Sequence, residues 1–220
     1  MWETARAELK TISKNYAARH MRRCENTLNH LPAHLREKVD RTLTRFVAII
    51  PTDLPPETKV ALLYHVLTSE ITYDKEGMDK HVLPYTYIGA LCRQRAVCMG
   101  IAELFTELCR RCGVECVTVI GYACSSAKSD QDGGLHAWSI VRMSDRRWYI
   151  CDPTWDLHKP NKHWKPQWFL LGELEFSRHY WIREDYPSAE TGFQGKITLN
   201  RKGVDLLCRH WRNVLTQEFE

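Results

Sequence analysis

The sequence predicts an α+β protein in which a buried helix packs on an antiparallel sheet, preceded by an N-terminal helical extension and followed by a C-terminal strand and helix. Three observations predict it. Residues 98–112, CMGIAELFTELCRRC, place Ile101, Leu104, Phe105, Leu108 and Cys112 at i, i+3, i+4, i+7 and i+11, the period of a helix with one apolar face. The runs VECVTVIGYAC (114–124), LHAWSIVRM (135–143) and RWYICD (147–152) have the β-branched and aromatic composition of strands. Between them lie turn-formers: a polar loop from Ser125 to Gly134 and a tight turn at Ser144-Asp145.

The remaining elements follow in chain order. From Trp2 to about Asn29, Ala5, Leu9, Ile12 and Tyr16 recur at helical spacing until Pro32 interrupts them. A second helix, Ala33 to Ile50, puts Leu35, Val39, Leu43, Phe46 and Ile50 on one face, and Pro51 to Pro56 ends it. Pro56 and Glu57 open a third, striped by Val60, Leu63, Val66 and Leu67 and ending near Ile71 to Asp74. Tyr85 to Leu91 is too short to assign. Gly113 stands where the 98–112 helix needs a C-terminal cap. Beyond Asp152 the chain is aromatic, with packing as the main expectation. KITL (196–199) reads as an edge strand and Lys202 to Gln217 as a last amphipathic helix. The expected organisation is a helical extension (1–55), a catalytic domain (56–190) and a strand-helix appendage (191–220).

Composition narrows the function classes. Gly plus Pro make up 20 of 220 residues, too few for a disordered or collagen-like chain. No apolar run approaches the roughly 20 residues of a bilayer span, so no membrane role is expected. MWETARAELK lacks the apolar run of a secretory signal, and nine cysteines leave at least one unpaired; the expectation is a cytoplasmic protein with reduced thiols. Residues 1–50 carry ten basic and five acidic side chains, whereas the rest nets −1. An acidic partner would suit those basic helices; nucleic acid is not expected, because no aromatic interleaving or recognition motif accompanies the charge.

The chemistry centres on Cys98, at the predicted start of a helix. A thiol attacks only as thiolate, which a helix N-terminus and a neighbouring imidazolium both favour. His136 heads a strand, and Asp152, ending the next, supplies a carboxylate to orient the imidazole. If the connecting loop is Ser144 to Arg146, Asp152 falls opposite Trp138 with His136 as its diagonal neighbour on the same face. A loop one residue shorter or longer puts the two on opposite faces unless a bulge intervenes.

The blocks AVCMGIAELFTELCRRCGVE, LHAWSIV and WYICDPTWD, in that order, resemble the transglutaminase-like superfamily of papain-fold cysteine enzymes. The likeness extends to TKVALLYHVLTSEITYD, YTYIGAL and WFLLGELEFSRHYW, about residues 57–181. It implies a papain-like, transglutaminase-like α+β core with Cys98 as nucleophile, His136 as base and acid, and Asp152 as orienter. Relatives often carry Gly before the Val-Cys pair and Asn after His-Ala-Trp; Ala96 and Ser139 stand there here, and neither change removes a catalytic atom.

The backbone N–H of Cys98 is a natural oxyanion donor, with Gln94 and Tyr87 as candidates for the second. Trp138 and Trp155 flank the His and Asp and are candidate cleft walls, while His179 is read as a structural histidine. Cys109, Cys112, Cys116 and Cys124 have spacings that could hold zinc, but the helical and strand periods account for them as core, and no metal or cofactor is expected. The expected function is acyl transfer or hydrolysis at an amide or peptide carbonyl of a protein or peptide substrate, through a thioester. The alternative is a catalytically silent module that binds a peptide or protein in the same cleft.

Overall fold

The computed structural model describes residues 31–76, 83–124, 133–157 and 165–219. The expected first helix and most of the 125–134 loop lie outside the described residues. Helix α1, Ala33–Val47, buries Val39, Leu43 and Phe46, which its sequence spaces one turn apart. Helix α2, Pro56–Glu70, starts on a proline whose missing N–H costs nothing in a first turn. Val60, Leu63, Tyr64, Val66 and Leu67 are all at 0% exposure, so α2 is central, and each such side chain contributes roughly 1.5–3 kcal/mol.

The stretch too short to assign from sequence holds a 3-10 turn, Leu83–Tyr85, and helix α3, Tyr87–Arg93. Thr86 caps α3 by accepting the Gly89 N–H at 3.1 Å. Strands β1, Thr72–Tyr73, and β2, Arg95–Ala96, pair in parallel just ahead of helix α4, Cys98–Arg111. Beyond α4, Gly113 adopts φ 75°, the left-handed conformation that a helix terminus favours and that glycine adopts freely.

Four strands form the main sheet: β3, Cys116–Cys124; β4, Gly133–Arg142; β5, Trp148–Cys151; and β6, His179–Tyr180, in the antiparallel order β5-β4-β3-β6. Gly133 and Gly134, expected in the loop, belong to β4 and pair with Cys124 and Ala123. KITL does not form the expected strand. Both edges are already taken, by β6 on β3 and by Leu171 bridged to Ile150 of β5. Ile197 and Leu199 instead pack on the core. Helix α5, Arg201–Phe219, closes the chain against α1: Trp211 meets Phe46 edge-on at 4.8 Å, and Glu218 pairs with Arg41 and Arg45 at 3.1 and 2.7 Å.

The β4–β5 hairpin has the three-residue loop. Arg142 faces Trp148, the Met143 N–H donates to the Arg147 carbonyl at 3.0 Å, and Arg146 turns the chain at φ 65°. Continued one pair past Ser139–Cys151, this register sets Asp152 opposite Trp138. The sheet therefore has two unlike faces. Ala137, Ser139 and Val141 look toward α4, Ser139 Oγ donating to the Ala102 carbonyl at 3.3 Å. Trp138 and Ile140 look the other way, into a layer with Val119, Ile150, Trp168 and Phe176.

Candidate active site

Cys98 opens α4 because β1–β2 pairing and a Val97 N–H bond to the Pro84 carbonyl, 3.0 Å, hold the preceding chain extended up to that point. Ala137 of β4 packs with Val97, Met99 and Ala102, so the start of the helix meets the start of the strand. There His136 is hydrogen-bonded to the Cys98 side chain. Its Nε2 lies 2.7 Å from Asp152 Oδ2, which leaves Nδ1 as the ring nitrogen for the sulfur.

Asp152 is at 0% exposure. Its Oδ2 also meets His179 Nε2 at 3.2 Å, and its Oδ1 accepts the Trp155 N–H at 3.3 Å. Burial pushes this carboxyl up, but the His136 charge and the bonds from both imidazoles outweigh it and hold the group down at about 2. Burial likewise pulls His136 down, and Asp152 and Cys98 together raise it to about 10. His136 therefore carries its proton across the neutral range.

The turn after Asp152 is tied to the core. Tyr64 of α2 donates to Asp156 Oδ2 at 2.7 Å, and Asp156 accepts the backbone N–H of Gln167 and Trp168 at 3.0 and 2.8 Å. Below the site, Gly121 stands opposite His136; a Cβ there would lie 2.5 Å from the Trp138 ring and 2.4 Å from the Tyr180 carbonyl, so only glycine lets strand and ring approach.

Cys98, His136 and Asp152 are thus brought together. Trp138 is not a cleft wall: at 0% exposure, with its ring 6.0 Å from His136, it packs beneath the site. Trp155 is half-buried, 5.7 Å from the His136 ring and under the Arg178 guanidinium at 4.8 Å. Tyr87 is also displaced. Burial and the charges of Glu107 and Glu103 push its hydroxyl up, with Arg111 opposing. The Tyr87 backbone N–H donates to Glu103 at 3.1 Å, about 7.5 Å along α4 from Cys98 at 1.5 Å per residue, and the charges its hydroxyl feels lie farther still along that helix, away from the thiol. Gln94 caps α3 in the left-handed conformation, its carbonyl accepting the Thr72 N–H at 2.9 Å.

Two residues escaped the sequence reading. Tyr73, paired with Ala96, hydrogen-bonds both the thiol and the backbone N–H of Cys98, and burial and that sulfur push its hydroxyl up. His179, expected to be structural, reaches Asp152. Tyr73 lay inside the ITYD block, but strands of two residues have no period to detect.

His136, Asp152 and His179 offer ligand atoms within 4.8 Å of one another, as a metal site would. However, the 2.7 Å contact is a charge-assisted hydrogen bond, shorter than the roughly 3.3 Å between two ligands of a tetrahedral ion, so the arrangement as it stands is a hydrogen-bonded one. The four-cysteine reading fails on distance: Cys116 and Cys124 end a nine-residue strand and stand about 26 Å apart at 3.3 Å per residue.

Residues 45–153 match the transglutaminase-like superfamily. The chain is 28% identical over 181 residues to kyphoscoliosis peptidase of Mus musculus, covering 74% of this chain and 27% of that protein. To the Homo sapiens kyphoscoliosis peptidase it is 32% identical over 136 residues, covering 59% and 20%. The chain thus spans about a quarter or less of the curated relatives it matches. A TGase crystal structure aligns with a TM-score of 0.42 at 18% identity, over 70% of this chain and 41% of that one. Among the described residues, no helix is long and apolar enough to cross a membrane.

Proposed function

Because this chain belongs to the transglutaminase-like superfamily, we propose that it is a cysteine acyltransferase or hydrolase acting on amide or peptide carbonyls of a protein or peptide substrate, with Cys98, His136 and Asp152 as its catalytic groups. The observation that carries the reading is His136 held between Cys98 and the buried Asp152 carboxylate, whose charge favours the protonated imidazole. An imidazolium beside a thiol favours the thiolate. The sulfur attacks the carbonyl carbon, and the C–S bond forms as the carbonyl electrons move to oxygen. The Cys98 N–H and the Tyr73 hydroxyl, which meet beside the sulfur, are the donors that would turn to that developing negative charge, the role of an oxyanion hole.

Collapse of the intermediate breaks the C–N bond, and His136 gives its proton to the departing amine. The thioester remains. Neutral His136 then takes a proton from the incoming water or amine, whose attack releases the acyl group and restores the pair. Water as acceptor makes the protein a peptidase or amidase; an amine makes it a transglutaminase.

The test is limiting alkylation by iodoacetamide between pH 5 and 9, mapped by peptide mass, for the unaltered chain and His136→Ala. Burial pushes the thiols of Cys92, Cys109, Cys112, Cys151 and Cys208 up, so they supply a slow background. Cys98 is expected to react at least tenfold faster than these near pH 6 and to lose that lead in His136→Ala. Equal reactivity of Cys98 and the buried thiols would overturn the proposal and favour a silent binding cleft. Incorporation of a fluorescent primary amine into casein, against release of casein peptides, then separates the two acceptors.

A further inference from the structure

His179 is built into the site more firmly than packing requires. Its side chain is at 0% exposure, stacked on Phe176 at 3.8 Å and 22°, with Trp155 at 4.3 Å, Trp138 at 5.1 Å and Trp168 at 5.2 Å around it. Apolar side chains could fill that space equally well. What they could not supply is the contact at the ring's edge, Nε2 at 3.2 Å from the same Asp152 oxygen that His136 approaches at 2.7 Å.

The tautomer follows from the neighbours. Nδ1 lies 3.0 Å from the Ser177 carbonyl and Nε2 beside the carboxylate, and both partners only accept. Burial drives this ring toward its neutral form, against the pull of Asp152, which leaves one proton for two contacts. On Nδ1, the proton would leave the Nε2 lone pair facing a buried anion. On Nε2, it leaves Nδ1 facing a neutral carbonyl of exposed Ser177, which water can reach. The Nε2–H form is therefore favoured.

Building on the function proposed above, we propose that His179 is a positioning residue: its Nε2–H bond to Asp152 Oδ2 fixes the carboxylate and divides that oxygen's charge between two imidazoles. The division tempers the pull of Asp152 on His136. Among the described residues, the titratable and charged groups around the two imidazoles are Asp152 and Cys98, with Tyr73 on Cys98, Tyr64 and Cys151 beside Asp152, and Arg178 outside them on Trp155. Removing the His179 donor leaves Oδ2 to His136 alone, so His136 holds its proton to higher pH.

The experiment is the full pH profile of Cys98 alkylation, pH 5 to 11, for the unaltered chain, His179→Phe and His179→Gln, each checked for folding by thermal melting. The upper step of the profile marks loss of the His136 proton. In His179→Phe, which keeps the aromatic packing and lacks the donor, that step is expected to rise by about half to one pH unit. In His179→Gln, which keeps an N–H donor and lacks the ring, it is expected to stay within about 0.3 unit of the unaltered chain although the protein melts earlier. A purely structural His179 gives the reverse ranking, with Phe close to the unaltered profile and Gln the more disturbed; that result overturns the inference. An unaltered chain whose Cys98 shows no His136-dependent reactivity overturns the proposed function and this inference with it. An unaltered chain that has the step, with His179→Phe leaving it in place, overturns this inference alone.

Discussion

The two sides of the four-stranded sheet do different work with the same strands. Toward α4, the residues of β4 enter a mostly aliphatic core with Leu63, Leu67, Leu104 and Leu108, all at 0% exposure. On the opposite side, residues shifted by one position meet Trp155, Trp168, Phe176 and Trp138, and among these rings sit a carboxylate and two imidazoles. Aliphatic packing removes apolar area from water and tolerates no charge. The aromatic layer also excludes water, but around charged groups that bond one another, which strengthens their mutual attraction. The aliphatic core and the buried charged groups are thus divided by the two-residue period of a single strand, and Cys98, at the first residue of α4, joins His136 where the helix and strand begin.

That division is tested most severely at Asp152. Asp152→Asn removes the charge that the aromatic layer encloses, and breaking a buried pair in this way is expected to cost about 3–5 kcal/mol in denaturant titrations at pH 7. It should also abolish His136-dependent alkylation of Cys98. The sign with pH is definite. With its folded value at about 2, Asp152 contributes stability that is full above the ordinary carboxylate range and lost as pH falls toward 2. With its folded value at about 10, His136 contributes stability that is full below its ordinary 6.5 and lost as pH rises through 10. In Asp152→Asn both limbs should flatten.

A cut on the aliphatic side should behave otherwise. Leu63→Ala leaves a cavity in α2's buried stripe and is expected to cost about 3 kcal/mol, evenly from pH 4 to 9, with the Cys98 alkylation profile of the remaining folded protein unchanged. A shifted profile would show that the two sides are not independent. The smallest effect belongs to the turn that serves both. Arg146→Gly relieves the positive φ of an exposed residue and should change stability by less than about 1 kcal/mol, with the alkylation profile intact.

The parts of the fold legible in the sequence were those with a period or a mechanism. Helix α4 and strands β3 to β5 carry enough residues to display theirs, whereas counting side-chain faces left the hairpin register open between loop lengths. The loop length seen in the structure, not the count itself, puts His136 and Asp152 on one face. KITL failed because β-branched composition does not say whether a sheet edge is free. Tyr87 failed because its distance from Cys98 in sequence says nothing about the direction in which α4 carries its neighbours. Tyr73 and His179 reach the site through two-residue strands, whose placement depends on the rest of the fold being in place.

The rings that enclose Asp152 have one consequence for how the chain is made. Cys98, His136 and Asp152 all precede residue 157, whereas Trp168, Phe176 and His179, which close over the carboxylate, follow residue 165. A chain leaving the ribosome therefore exposes its three proposed catalytic groups before it possesses the enclosure that aligns them. Until the last of these rings emerges, the Asp152 carboxylate stands in water, where its hold on His136 is weak. On the function proposed above, the reactivity of Cys98 is expected to begin only once the segment through Tyr180 has docked on β3.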